Sequence, residues 1–160
     1  ACAIGASREE NARLMAGVYA SRGLSALVFR GANTGLDELT TTDANQVWLV
    51  SGGAVVETAF DARESLGMAA SSIEDLAGGE AAENAAVARD VLSGGGADAV
   101  RDAVALNVGA GILAWEGLEN PVTHSDFEPR MRGAVERALV ALADGSGARL
   151  IERWVAASNA

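Results

Sequence analysis

Two adjacent carboxylates, Asp37 and Glu38, lie in the segment GLDELTTT, residues 35–42. No cationic residue is next to them in the sequence, and neighbouring like charges repel each other unless solvent or a positive ligand compensates them. The pair is therefore either a solvated acidic turn or half of a binding site. Carboxylate oxygens of this kind suit a hard cation such as Mg²⁺.

The rest of the composition narrows the chemistry that is available. The chain has twelve basic residues, all of them arginine, so it has no lysine to form a Schiff base or to hold a phosphate as a point charge. Cys2 is the only cysteine and His124 the only histidine. An internal disulfide and a zinc site built from Cys and His are therefore excluded, and any metal must be bound by oxygen.

Charge and hydropathy exclude two classes of partner. The formal net charge is −10, whereas nucleic acids and anionic membranes both require a basic surface. No stretch approaches the roughly 18 apolar residues of a membrane span, and the first residues lack the basic and apolar segments of a signal peptide. We expect a cytoplasmic protein that binds neither nucleic acid nor membrane.

A helix is predicted upstream of the acids. Residues 7–10 (SREE) match a capping box, in which Ser7 and Glu10 satisfy backbone amides at the start of a helix. We expect this helix to stop at Gly23. The side chains predicted to face inward are Leu14, Met15, Val18 and Tyr19.

The acids themselves follow a predicted strand. Residues 25–29 (SALVF) are too short and too apolar for anything but a buried strand. Asp37 and Glu38 come just beyond its carboxyl end, the position at which open α/β sheets bind ligands. Because Gly31 and Gly35 favour a loop here, both acids can face one ligand instead of pointing to opposite faces of a strand.

Downstream, the sequence predicts one hairpin and then only helices. Residues 46–51 and 54–60 read as two strands joined by a tight glycine turn. Ser72 is predicted to cap a short helix, and longer helices are predicted at residues 80–93, 98–115, 127–143 and 147–158. With few strands and dominant helices, the chain is predicted to be the second part of a larger α/β protein, although a compact α+β domain fits the same count.

The helix at residues 98–115 is apolar almost all round, so we expect it to be buried. Its Gly109 and Gly111 are not preceded by a strand, and close helix packing explains them better than a phosphate-binding loop. The polar Asn107 on the same helix is predicted to bond to a backbone group.

Structural roles are also expected for other conspicuous side chains. Arg30 is predicted to form an ion pair with the acids, with an approach to a phosphate as the alternative. His124 is predicted to be exposed. Residues 40–42, three threonines, are read as β formers that enter the next strand, with lining of the acidic loop as the alternative. The three tryptophans are predicted to pack in the core: Trp48, Trp115 and Trp154.

Four segments in register carry a resemblance to a known family. They are GLDELTTT, the hairpin with VWLV, the stretch SIEDLAGGEAAENAAVARDVLSG and the helix RDAVALNVGAGILAW. Together they closely resemble the C-terminal half of anthranilate phosphoribosyltransferase. The resemblance implies the large α/β domain of the nucleoside phosphorylase and phosphoribosyltransferase type, with residues 1–160 as its C-terminal portion.

The resemblance also implies an activity. Members of that family transfer the phosphoribosyl group from phosphoribosyl pyrophosphate (PRPP) to anthranilate, with Mg²⁺, and release pyrophosphate in tryptophan biosynthesis. The acidic pair of the family's GLDE loop holds one of the magnesium ions, and at those positions this chain has Asp37 and Glu38. No catalytic residue is assigned within the chain.

Other parts of the family pattern are absent from these 160 residues. The glycine-rich phosphate loop (GTGGD), the KHGN segment and the small helical domain through which family members form homodimers belong upstream. The missing N-terminal half is thus an expected partner, and the chain alone is expected to be inactive. Arg30 also stands where the family commonly has histidine, and the loop at residues 32–34 is one residue longer than usual.

Two alternatives remain open. One is an enzyme of the related pyrimidine nucleoside phosphorylase type, which lacks the GLDEL loop in this context. The other is a non-catalytic α/β module that binds or assembles with a protein partner.

Overall fold

A four-stranded sheet organises the computed structural model, which describes residues 1–160. Its strands, in spatial as well as sequence order, are β1 (Cys2–Gly5), β2 (Ala26–Gly31), β3 (Asn45–Ser51) and β4 (Ala54–Phe60). β1 and β2 are parallel, whereas β2–β3 and β3–β4 are antiparallel. The six helices are α1 (Glu9–Ser21), α2 (Ala62–Leu66), α3 (Ala81–Leu92), α4 (Asp98–Glu116), α5 (Phe127–Ala143) and α6 (Ser146–Ser158).

Helices cover both faces of the sheet, as the predicted α/β class requires. α1 connects the two parallel strands and packs against one face, where small alanines let it approach Val28, Trp48 and Val50. α4 and α5 lie on the opposite face, over a larger core. β2 contributes to both cores because successive side chains of a strand point to opposite faces; Val28 belongs to the first core and Leu27 to the second.

The predicted hairpin is confirmed. β3 and β4 pair along their whole length, and the turn between them is Gly52-Gly53, with φ values of 58° and 80°. Both values lie in the left-handed region that favours glycine, which is why two glycines suit this primed turn.

The prediction for α1 is right about the helix and wrong about its details. The helix ends before Gly23, whose φ is positive. Its N-cap is Arg8 and no side chain caps it, so the predicted capping box of Ser7 and Glu10 is absent. Of the residues predicted to face inward, Leu14 and Val18 are exposed, whereas Met15 and Tyr19 are partly buried and pack against the core. The fully buried residues of the helix are alanines, which allow close packing.

Helix α4 confirms part of its prediction. Gly109 lies against α5, so close that a Cβ there would be 2.8 Å from Val135 Cγ2. Gly111 has no atom within 4 Å of such a Cβ, so close packing does not explain it. The helix is buried on one side only, because the face directed away from α5 exposes Val108. No helix of the chain combines the length and the apolar character that crossing a membrane requires.

The tryptophan predictions are right once and wrong twice. Trp48 is 2% exposed, and its indole N–H donates to Glu57 at 3.1 Å. Trp115 and Trp154 are 70% and 69% exposed. Each lies on an apolar helix face that no other element of the chain covers, and the sequence pattern alone does not show whether such a face has a neighbour.

Helix α3 packs loosely. Its N-terminus has a capping box formed by Glu80 and Glu83, but Val91 is its only buried residue. The short helix predicted after Ser72 is a single 3₁₀ turn, Glu74–Leu76, in which Ser72 and Asp75 bond to each other. The boundaries predicted for α5 and α6 agree with the structure to within one residue.

Gly109→Ala and Gly111→Ala should change stability in opposite directions. The first introduces a methyl group against α5 and should lower the free energy of unfolding by about 1–3 kcal/mol. The second meets open space and should raise it by up to about 1 kcal/mol, because alanine favours helix more than glycine does. Urea unfolding of both variants measures the difference, and equal effects would contradict the packing assigned to Gly109.

Candidate functional site

The acidic loop crosses the carboxyl ends of the two parallel strands. It comprises residues 32–44, between β2 and β3, and β1 and β2 end at the same edge of the sheet because they are parallel. The loop touches the end of β1 directly, since a Cβ on Gly5 would lie 1.4 Å from the carbonyl oxygen of Asp37. Only a residue without a side chain leaves room for the loop at this point.

Asp43 organises the first part of the loop. Its carboxylate accepts hydrogen bonds from the backbone N–H groups of Asn33 (2.6 Å) and Thr34 (3.0 Å), and from the Thr34 hydroxyl at 3.2 Å. Asp43 is 9% exposed. A buried carboxylate with several donors holds a turn firmly because charge-assisted bonds are stronger than neutral ones. The turn at residues 32–34 is thus fixed from inside.

Arg30 braces the same end of the loop. Its guanidinium donates to the carbonyl oxygen of Ala32 at 3.1 Å, to Gln46 Oε1 at 2.6 Å and to the carbonyl oxygen of Ser7 at 3.4 Å. It makes no ion pair, so the predicted pairing of Arg30 with the acids is wrong. Its Nε and Nη1 groups donate instead to backbone and amide oxygens of three segments.

Two asparagine side chains hold the segment that follows the acids. Asn107 Oδ1 accepts from the Leu39 N–H at 3.1 Å, while its Nδ2 donates to the Leu39 carbonyl oxygen at 3.0 Å. Asn45 binds Thr40 in the same way, at 3.2 and 3.0 Å. The prediction that Asn107 bonds to backbone is confirmed, with a partner 68 residues away in sequence.

The threonines at residues 40–42 lie in the loop and do not enter β3. Thr40 and Thr42 share a hydroxyl bond of 2.7 Å, and Thr41 donates to the Ser71 hydroxyl at 2.9 Å. Thr40 also lines the cleft beside the acids, as the alternative interpretation expected.

Asp37 and Glu38 are both exposed and have no partner in the chain. Neither carboxylate takes part in a hydrogen bond or an ion pair, although most other loop polar groups do. Although Glu38 is exposed as a residue, partial desolvation of its carboxyl group raises its pKa above the ordinary value, and the adjacent charge of Asp37 raises it further. The two acids thus keep their repulsion uncompensated within the chain.

The chain offers no more than this pair for a metal. No group of three or more His, Cys, Asp or Glu side chains is arranged to hold an ion. Two carboxylate ligands are too few for a Ca²⁺ cage but fit Mg²⁺, which usually keeps several waters and is held by one or two carboxylates together with phosphate oxygens. The donor set therefore fits magnesium brought with a phosphate ligand.

A mostly apolar cleft of about 520 Å³ opens beside Glu38. The loop forms one wall, α4 the second and the 3₁₀ turn the third, through Leu76. The polar groups at its border are Glu38, Thr40 and Asn107. A smaller apolar cleft of about 370 Å³ continues between α3 and α4.

Comparison with known proteins decides the family. Residues 2–148 match the family model described as "Glycosyl transferase family, a/b domain". This chain belongs to that glycosyl transferase family. The match covers the sheet, the acidic loop and all helices up to the start of α6.

Curated members of the family confirm the resemblance to anthranilate phosphoribosyltransferases. The chain is 47% identical over 156 residues to the anthranilate phosphoribosyltransferase of Arthrobacter sp. (strain FB24). The matched region covers 98% of this chain and 42% of the relative. It is 43% identical over 159 residues to that of Nocardia farcinica (strain IFM 10152), covering 98% and 45%. The chain thus spans less than half the length of these relatives.

Solved structures show the same fold. The crystal structure of anthranilate phosphoribosyltransferase from Thermus thermophilus matches 98% of this chain and 42% of its own, with a TM-score of 0.79 and 33% identity. The Saccharomyces cerevisiae enzyme in complex with PRPP and Mg matches with a TM-score of 0.75. At 18% identity this second likeness concerns the fold alone.

The scaffolding of the loop is a feature that sequence reasoning missed. The roles of Gly5, Asp43 and Asn45 become visible only in the structure. The sequence does contain a signal for Asp43 and Asn45, because Asp and Asn next to a run of threonines favour side-chain bonds to nearby backbone. The role of Gly5 has no local signal, since its contact comes from Asp37, a residue far along the chain.

The raised pKa of Glu38 should make stability depend on pH in a defined direction. The carboxyl group of Glu38 binds its proton more tightly in the folded state than in the unfolded state. Its contribution to the free energy of unfolding is therefore complete below the pKa of the unfolded state, and it is lost as pH rises through the raised pKa of the folded state. Wild-type protein should therefore lose stability relative to Glu38→Gln as pH increases through that range, in urea unfolding at a series of pH values. An opposite trend for Glu38→Gln would contradict the desolvation assigned to this carboxyl group.

Proposed function

We propose that this chain supplies the metal-binding part of an anthranilate phosphoribosyltransferase. In the complete enzyme, the phosphoribosyl group of PRPP passes to the amino nitrogen of anthranilate, giving N-(5-phosphoribosyl)anthranilate and pyrophosphate. The observation that carries the proposal is the pair Asp37 and Glu38, exposed and unpaired at the carboxyl edge of parallel strands in a chain of this family.

The chemistry requires charge stabilisation on the leaving group. The bond between C1′ and the pyrophosphate oxygen breaks, a C1′–N bond forms, and the anthranilate nitrogen loses a proton. Bound Mg²⁺ supplies electrostatic stabilisation of the negative charge that builds on the departing pyrophosphate. Asp37 and Glu38 would hold the ion, and the repulsion between their adjacent charges would favour binding of a cation.

Arginine does not take this role in the described loop. Arg30 is the basic residue nearest to the acids in sequence, yet its Nε and Nη1 groups donate to Ser7, Ala32 and Gln46 and it makes no ion pair with the acids. Pyrophosphate and the two carboxylates are all negatively charged and repel each other. A cation from solution is therefore needed before pyrophosphate can bind beside Asp37 and Glu38. This need supports a magnesium-dependent site over one that binds phosphate directly.

The complete substrate site is proposed to need a second half that carries the phosphate loop. β1 lies at an edge of the sheet and is only half-buried. On the side of α4 that faces away from α5, Val108 and Trp115 expose apolar surface. A sheet edge flanked by apolar surface is suited to a further α/β layer, and the relatives that this chain matches are more than twice its length.

Neutralising the acids should weaken binding of magnesium pyrophosphate. In calorimetric titrations with Mg²⁺ and pyrophosphate, Asp37→Asn/Glu38→Gln should reduce affinity at least about tenfold, which corresponds to roughly 1.4 kcal/mol. The control is Glu10→Gln/Glu64→Gln, which changes the net charge equally at two exposed acids outside the loop. Equal weakening by both double variants would assign the effect to overall charge and would contradict the site.

Activity should appear only when the two halves are combined. The chain is mixed with the portion of the Arthrobacter sp. (strain FB24) relative that it does not match, and consumption of anthranilate with PRPP and Mg²⁺ is followed. Neither part alone should be active, and the mixture with Asp37→Asn/Glu38→Gln should be at least about 100-fold slower than with wild type. Activity of the chain alone, or no effect of the double variant, would overturn the proposal; a folded mixture that assembles without activity would favour a non-catalytic module.

A further inference from the structure

The two residues after Glu38 are held by a matched pair of side-chain amides. The carboxamide of Asn107 bonds to both the N–H and the carbonyl oxygen of Leu39, and that of Asn45 bonds to both groups of Thr40. We call these four hydrogen bonds the amide clamp. An amide can do this because it carries a donor and an acceptor side by side, as a peptide group does.

The clamp joins the loop to two different layers of the fold. Asn107 lies in the middle of α4, and a third bond, from its Nδ2 to the carbonyl oxygen of Ala103 at 2.8 Å, fixes the orientation of its amide. Asn45 begins β3, is 0% exposed, and also donates to the carbonyl oxygen of Phe60 at 3.3 Å. The backbone next to Glu38 is thus tied to the helix layer and to the sheet at the same time.

We propose that Asn107 is a positioning residue that sets the affinity of the acidic pair for a divalent cation with its diphosphate ligand. The proposal rests on the proposed function of Asp37 and Glu38. Because Leu39 is fixed on both of its polar backbone groups and its side chain is fully buried, the peptide that carries Glu38 has little freedom. A ligand held in place before binding loses less entropy when the ion arrives, so affinity increases.

Asn107 acts through the loop and does not touch the ligand. Both hydrogens of its Nδ2 are used, one by Leu39 and one by Ala103, and its Oδ1 accepts from Leu39. No donor remains for a phosphate, although the residue borders the cleft beside Glu38. Its removal would leave the Leu39 N–H and carbonyl without partners in a buried setting, so the loop would have to shift to satisfy them.

The chain contains a matched control for this test. Asn84 makes the same pair of bonds to Gly79, accepting from its N–H at 2.8 Å and donating to its carbonyl oxygen at 2.9 Å. These two bonds between Asn84 and Gly79 lie at the start of α3, outside the acidic loop. Asn84→Ala therefore removes the same pair of bonds from an amide to one residue's backbone, at an exposed site, without altering the support of Glu38.

The experiment titrates the chain with Mn²⁺ in the presence of pyrophosphate and follows the free ion by electron paramagnetic resonance. Asn107→Ala should weaken binding by roughly tenfold, the lower end of the effect of losing a residue that orients metal ligands, while Asn84→Ala should leave it within about twofold of wild type. Hydrogen exchange of the Leu39 amide, measured without metal, should become faster in Asn107→Ala only. If Asn107→Ala does not fold, Asn107→Leu, which fills a similar volume without hydrogen-bonding groups, replaces it.

Each other outcome overturns the proposal in a distinguishable way. If Asp37→Asn/Glu38→Gln abolishes Mn²⁺ binding but the Asn107 variants bind as wild type does, the positioning role is wrong and the proposed function stands. If Asn84→Ala weakens binding as much as Asn107→Ala, the effect is one of general stability and the positioning role is wrong. If the double acid variant binds as wild type does, the acids are not the site and both proposals fail.

Discussion

The parallel pairing of β1 with β2 is the constraint on which the rest of the site depends. It brings two carboxyl ends to one edge of the sheet, and the loop that leaves β2 then passes over the end of β1 at Gly5. A side chain at that position would displace the Asp37 peptide. Backbone pairing therefore determines where the loop approaches β1. This close approach in turn places two like charges that no residue of the chain neutralises.

Most polar groups around this loop have hydrogen-bond partners, and the acidic pair is the charged exception. Asp43, Asn45 and Asn107 each use their side chains on backbone, as buried polar groups must. Asp37 and Glu38, by contrast, make no hydrogen bond and no ion pair through their carboxylates. Adjacent carboxylates without a partner are candidates for a cation site, and this is the role that the proposed function gives them.

Much of the fold follows from local sequence patterns. The hairpin with its two glycines, the bounds of α3, α5 and α6, and the contact of Gly109 all depend on turn chemistry or helical periodicity, which act over a few residues. The failures share another cause. Trp115, Trp154, Leu14 and Val18 are apolar, and periodicity indicates that they lie on an apolar face, but burial also requires an element opposite them. The position of the acids in a loop was predictable, whereas the clamp was not, because its partners are separated by up to 68 residues.

Helix α3 has a consequence for how a ligand could reach the cleft. With Val91 as its only buried residue, it contributes little to the burial that stabilises the sheet and its two cores. Segments of this kind separate from the main body at a small fraction of the global unfolding free energy. The smaller cleft, bounded by α3 and α4, thus has one loosely packed wall and one wall that belongs to the main core. Local opening of α3 would widen this cleft without breaking the hydrogen bonds that hold the acidic loop to the sheet and α4.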